Sequence, residues 1–179
     1  MRFEETGLDG CWLIEPEPRH DERGFFARTF CVDEFAAHGL ETRFVQHSIS
    51  HSIRRHTLRG LHFQRAPHAE AKVVGCSRGA IFDVVVDLRP GSSTRMRWKG
   101  FELTPGNRRQ LYIPKGFAHG FQALDDDTVV TYLISEFYAP DAASGIRFDD
   151  PALGVRWPAP PAAISERDRQ WPPLAAAVA

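Results

Sequence analysis

Leu58-Arg59-Gly60-Leu61-His62-Phe63-Gln64 opens the most strand-rich part of this 179-residue chain. Its apolar residues make Leu58–Phe63 a candidate strand with a single glycine inside it. Downstream, the pattern predicts strands at Lys72–Cys76, Ala80–Leu88, Trp98–Leu103, Arg109–Ile113, Gly120–Ala123 and Val129–Phe137. Turn chemistry separates them at Ser77-Arg78-Gly79, Pro90-Gly91, Pro105-Gly106-Asn107 and Asp125-Asp126-Asp127. Upstream, strands are expected at Cys11–Ile14, Phe25–Phe30 and Arg43–Gln46, with a short helix at Asp33–His38 capped by Asp33 and ended at Gly39. Many short strands at this spacing describe a sandwich or barrel.

Composition agrees. Thirteen Pro, fourteen Gly and thirteen Phe suit a turn-rich β protein. The formal net charge is −1, from 22 basic and 23 acidic side chains, so the chain lacks the basic excess of a dedicated nucleic-acid binder. Arg54-Arg55-His56 and Arg108-Arg109 are short clusters of the kind that line a solvated loop or a phosphate-gathering rim. Cys11, Cys31 and Cys76 are odd in number and widely spaced, with no CxxC pair, and so read as reduced thiols of a cytoplasmic protein. No apolar run has the length of a signal peptide or of the roughly twenty residues a membrane span requires. A single domain over 1–179 is expected, with a helix at Ser165–Gln170 and a mobile tail from about residue 172.

Pro114-Lys115-Gly116-Phe117-Ala118-His119 resembles the second motif of cupin barrels, whose first motif supplies His-x-His for a metal. Here that place reads His62-Phe63-Gln64. Gln64 replaces an imidazole, which speaks against a tight zinc or iron site. The blocks Asp21-Glu22-Arg23-Gly24-Phe25-Phe26, Phe44-Val45-Gln46, Leu58–Gln64, Val84–Arg89, Ile113–Phe121, Asp149–Pro158 and Ile164–Asp168 are more specific. Together they resemble the dTDP-4-dehydrorhamnose 3,5-epimerase family over almost the whole chain.

The resemblance implies a mainly β, cupin-type β-jelly-roll with short flanking helices, a homodimer with exchanged strands, and no cofactor. It implies a nucleotide-diphosphate sugar as substrate, a 4-keto-6-deoxyhexose inverted at carbons 3 and 5. Inversion of either one centre, or sugar-nucleotide binding without catalysis, is the alternative. The chemistry requires a base, an oxyanion stabiliser and a second proton donor, because a proton beside a ketone leaves only if the enolate is held.

Matched residue by residue, the resemblance makes His62 the base, Asp168 its carboxylate partner, Tyr132 the acid and Lys72 the enolate stabiliser. Arg23 and Arg59 match diphosphate contacts, and His119 assists at the sugar. Phe26 and Tyr138 would offer flat contacts. Each has a plainer reading. His62 could be a core histidine, Tyr132 a core tyrosine, Lys72 a strand-end charge, His119 a turn residue and Phe26 ordinary core. Ser165-x-x-Asp168 is also a capping pattern. In a regular strand, Arg59 and His62 face opposite ways. Either Gly60 carries a bulge, or Arg59 serves a partner's ligand.

Three features depart from the family pattern. Arg28 stands where a glutamate is common, Gln46-His47-Ser48 lacks the usual asparagine, at Ser48, and the loop Ser52–Thr57 is one residue longer. All lie on the nucleotide side. A changed nucleotide preference and compensated drift both remain open.

Overall fold

The computed structural model describes residues 1–177. Its strands, in chain order, are β1 (Arg2–Glu5), β2 (Trp12–Glu15), β3 (Arg19–Asp21), β4 (Gly24–Phe26), β5 (Gln46–Ser52), β6 (Leu58–Gln64), β7 (Lys72–Arg78), β8 (Ile81–Asp87), β9 (Trp98–Leu103), β10 (Gln110–Ile113), β11 (Phe117–Ala123), β12 (Thr128–Ile134) and β13 (Ala143–Gly145). The helices are α1 (Val32–Ala37), α2 (Glu166–Arg169) and α3 (Leu174–Ala177). A six-stranded sheet, β1-β2-β10-β7-β12-β5, faces a five-stranded sheet, β13-β6-β11-β8-β9, and every ladder in both is antiparallel. This is the jelly-roll arrangement of a cupin.

Side-chain alternation builds three cores from these two sheets. Val74, Cys76, Ile81, Val85, Leu111, Phe121 and Val130 point between the sheets. The intervening Val84, Val86 and Ala118 point outward, where Ile146, Leu153, Trp157 and Leu174 of the C-terminal segment cover them. Val73 and Tyr112 point out from the other sheet and meet Phe35 of α1. No helix among the described residues is long and apolar enough to cross a membrane.

Several local expectations need correction. α1 begins one residue earlier than expected, with Cys31 as N-cap and Asp33 inside the first turn, where its charge favours the helix N-terminus. β5 covers 46–52, most of which the residue pattern left unassigned. The strand expected at Phe25–Phe30 is a short hairpin arm, since β3 and β4 pair only with each other. The tail expected to be mobile from about 172 is docked through 177. Leu174 is buried, its N–H donates to Asp150 Oδ2 at 2.5 Å, and the Pro172 carbonyl accepts from Arg147 N at 3.0 Å. Residues 178–179 of that expected tail lie outside the described residues.

The bulge is where the fold prepares its site. Opposite β11, His62 pairs with His119, but Arg59 pairs with Phe121, so β6 carries one extra residue between them. Gly60 sits there at φ +127°, and a Cβ on it would fall 2.4 Å from Gly120 Cα. Only glycine fits, by conformation and by space.

Candidate active site

One end of the space between the sheets opens as a cavity of about 620 Å³, with polar and charged side chains set among apolar ones. The bulge turns Arg59 and His62 toward it together, and both line it. Alternation carries Lys72 of β7, His119 of β11 and Tyr132 of β12 into the same space. Gln46 and Ser48 of β5 form one wall, and Tyr138 stands at the rim.

His62 Nε2 lies 2.6 Å from Asp168 Oδ1, and 43% of the imidazole remains open to the cavity. Burial alone would raise the Asp168 carboxyl. The hydrogen bond and charge of His62, with N–H donors from Gly60 and Trp171, outweigh burial and leave it below its ordinary value. An ionised Asp168 accepts the Nε2 proton, which leaves the lone pair on Nδ1 as the basic one. The capping reading of Asp168 also holds. Its N–H donates to Ser165 Oγ at 3.1 Å, while its carboxylate turns to His62. The chain reaches this place because Ala159 is held by the Gln122 side chain of β11 and Ala163 meets the start of β6, where Leu58 N donates to Ala163 O at 2.8 Å.

The other polar groups are equally constrained. The Tyr132 hydroxyl lies 3.0 Å from Ser50 Oγ, and burial pushes the phenol well above its usual range. Lys72 Nζ, nearly buried, is 2.8 Å from Glu70 Oε1. His119 Nε2 is 2.7 Å from Asp83 Oδ1, a fully buried carboxylate whose Oδ2 has no partner. His119 lies inside β11, not in a turn. Arg59 donates to Ser52 Oγ at 3.2 Å and to the His51 carbonyl at 2.8 Å. Gln64 lines the cavity but is engaged by backbone, donating to His68 O and Phe137 O and accepting from Ala139 N.

Three of the expected site residues lie elsewhere. Arg23 sits at the β3–β4 turn, paired with Asp21. Phe26 is 74% exposed on the same hairpin, so it is not core either. Arg28 pairs with Glu34 at 3.4 Å, and both border a separate cleft with Phe26. Conversely, Ser50, Glu70, Asp83 and Trp171 belong to the cavity or to its immediate supports and had not been singled out. Glu70 and Asp83 offered a signal, as carboxylates in or beside apolar strands. Ser50 and Trp171 lie in stretches to which the sequence pattern assigns no element.

A cupin barrel with a histidine–carboxylate pair and a phenol on one cavity carries the groups that proton-transfer enzymes use. The family model described as dTDP-4-dehydrorhamnose 3,5-epimerase matches residues 5–176, and the chain belongs to that family, whose members are isomerases. It is 51% identical over 177 residues to the dTDP-4-dehydrorhamnose 3,5-epimerase of Methanothermobacter thermautotrophicus, covering 97% of this chain and 95% of that one. It is 43% identical to the dTDP-4-dehydrorhamnose 3-epimerase of Streptomyces niveus, over 94% of this chain and 82% of that one. The crystal structure of the Bacillus anthracis 3,5-epimerase with TDP and PPi bound superposes with a TM-score of 0.93. Its identity is 40%, with 96% of this chain and 98% of that chain covered.

Proposed function

We propose that this protein epimerises dTDP-4-dehydro-6-deoxyglucose at carbons 3 and 5 without a cofactor. The carrying observation is that the His62–Asp168 pair and the Tyr132 hydroxyl open on one cavity with Lys72 beside them. His62 takes the proton next to the ketone, and Asp168 steadies the resulting imidazolium. Lys72, held by Glu70, offers its ammonium to the enolate oxygen. Tyr132 returns a proton to the other face, which inverts the centre. Carbons 3 and 5 both flank the carbon-4 ketone, so one set of groups can serve each in turn.

Arg59, His119, Gln46, Ser48 and Tyr138 would hold the sugar and nucleotide. Arginine suits diphosphate because its planar fork donates two hydrogen bonds. Thymidine is the expected base, as in the names of the relatives above. Arg28 makes a 3.4 Å contact with Glu34, whose other oxygen holds the N-terminal ammonium, in a cleft apart from the cavity, which favours drift over a new preference. The hairpin bearing Arg23 and Phe26 stands clear of this chain's cavity, and exposed Ile49, Ile53 and Phe137 lie unpacked. We read this as a homodimer in which each hairpin completes the partner's site, working in the cytoplasm with Cys11, Cys31 and Cys76 reduced.

Deuterium washing tests the function. Incubated with the 4-keto sugar nucleotide in heavy water, the protein should place label at both carbons 3 and 5. Label at one carbon would favour the single-centre reaction of the Streptomyces niveus relative, and none would sink the enzyme reading. In the same buffer, sedimentation should report a dimer; a monomer with full activity would remove the exchanged hairpin.

A further inference from the structure

The Asp168 oxygen that holds His62 has a second donor. Trp171 Nε1 directs its hydrogen at the same Oδ1 from 3.2 Å, and Gly60 N approaches Oδ2 at 3.3 Å. The indole also stands edge-on to the imidazole, with ring centroids 6.3 Å apart and planes at 70°.

The seat of this indole is specific. Gly145 of β13 faces it, and a Cβ there would fall 2.4 Å from Trp171 Cε2. Gly145 is not among the positive-φ glycines, so the ring and not the backbone calls for glycine at this place. The Arg167 guanidinium packs over the indole at 4.9 Å, and Arg167 also donates to the Tyr138 hydroxyl at 3.4 Å. The ring is therefore held by an interaction on its face and by a close-fitting backbone, and its only polar atom is spent on Asp168.

We propose that Trp171 is a positioning residue that sets the basicity of His62 by sharing the carboxylate oxygen His62 depends on. The inference rests on the reading of His62 as the base. Each hydrogen bond donated to a carboxylate withdraws charge from it and lowers its proton affinity. A less basic Asp168 stabilises the imidazolium less, so His62 releases its proton at lower pH. Without the indole N–H, Asp168 would hold the imidazolium harder, and more of the base would be spent as cation near neutrality. The other charged or titratable groups on this cavity are Arg59 of β6, the Glu70–Lys72 pair at β7, His119 of β11, Tyr132 of β12, Tyr138 at the rim and Arg167 of α2. Trp171→Phe alters none of them, and it keeps an aromatic ring beneath Arg167 and against Gly145.

The test is an NMR titration of the His62 imidazole in the ligand-free protein, beside the pH profile of kcat/KM. Trp171→Phe should raise the His62 midpoint by about half a pH unit, a fraction of what a hydrogen bond to a charged group is worth, because the effect reaches His62 through Asp168. The acid limb of the profile should rise by the same amount, with KM for the sugar nucleotide unchanged. Gly145→Ala, which forces the indole off its seat, should shift the midpoint in the same direction. In the unaltered protein the Trp171 indole N–H resonance should titrate with the His62 midpoint, a readout that needs no variant to fold. An unmoved midpoint in folded Trp171→Phe, or an indole resonance indifferent to His62, overturns the proposal. A shifted midpoint in a protein that exchanges no sugar proton upholds the coupling and removes the function instead.

Discussion

Replacing His62 by alanine is expected to lower kcat/KM by roughly 10²–10⁴-fold, the usual contribution of a positioned general base. Deuterium uptake at carbons 3 and 5 should fall with it, because His62 is the carboxylate-paired imidazole that stays open to the cavity. Lys72 is tied to Glu70, and His119 is tied to Asp83 and nearly buried. Thymidine diphosphate should bind within a few-fold of its original affinity, since Gln46, Ser48 and Arg59 are untouched. The variant also strips Asp168 of its main stabiliser. Burial, which already pushes that carboxyl upward, would then dominate, and its pKa should rise. The combination separates catalysis from mere binding. A protein that only binds the sugar nucleotide would show no exchange before or after the substitution, and full exchange by His62→Ala would assign the base elsewhere.

The two-sheet core was legible because its signal is strong. Ala80–Leu88 and Trp98–Leu103 carry apolar residues on both faces and are bounded by turn residues, so β8 and β9 were found within a residue or two of their ends. β5 was missed because Gln46-His47-Ser48-Ile49-Ser50-His51-Ser52 holds only one apolar residue, and that one is exposed. It is the last strand of its sheet, paired only with β12, and one of its faces lines a polar cavity. Such a strand has no core to advertise, and Ser50, the partner of Tyr132, went unseen with it. The Arg59 and His62 parity was visible as a conflict, and glycine at 60 was the clue to a bulge. Trp171 was illegible for a different reason. Its place depends on Gly145 and Asp168 meeting across the chain, and local pattern reports neither. Arg23 and Phe26 on the β3–β4 hairpin, and Arg28 just after it, came from resemblance alone, which carries a role to a residue without placing that residue on the cavity.

Tyr132→Phe should separate proton removal from inversion. Burial raises the phenol above its ordinary value, so at neutral pH it carries its proton and can serve as a donor but not as the base. Ser50 Oγ, 3.0 Å away, fixes the hydroxyl and can share the charge left behind when the proton leaves. Removing that hydroxyl leaves His62, Asp168 and Lys72 in place, so enolate should still form. Its proton can then come back only from His62, on the face it left. Inverted product should drop by roughly 10²-fold or more, while deuterium continues to enter the substrate with retained configuration. Proton NMR of one reaction in heavy water reads both quantities, label from signal loss and configuration from coupling constants. Inverted product at the wild-type rate from Tyr132→Phe would move the acid to another group, with His119 the next side chain on the cavity able to give a proton. Loss of exchange together with loss of product would instead make the phenol part of enolate stabilisation, since a donor needed only for the return step cannot be required for the departure.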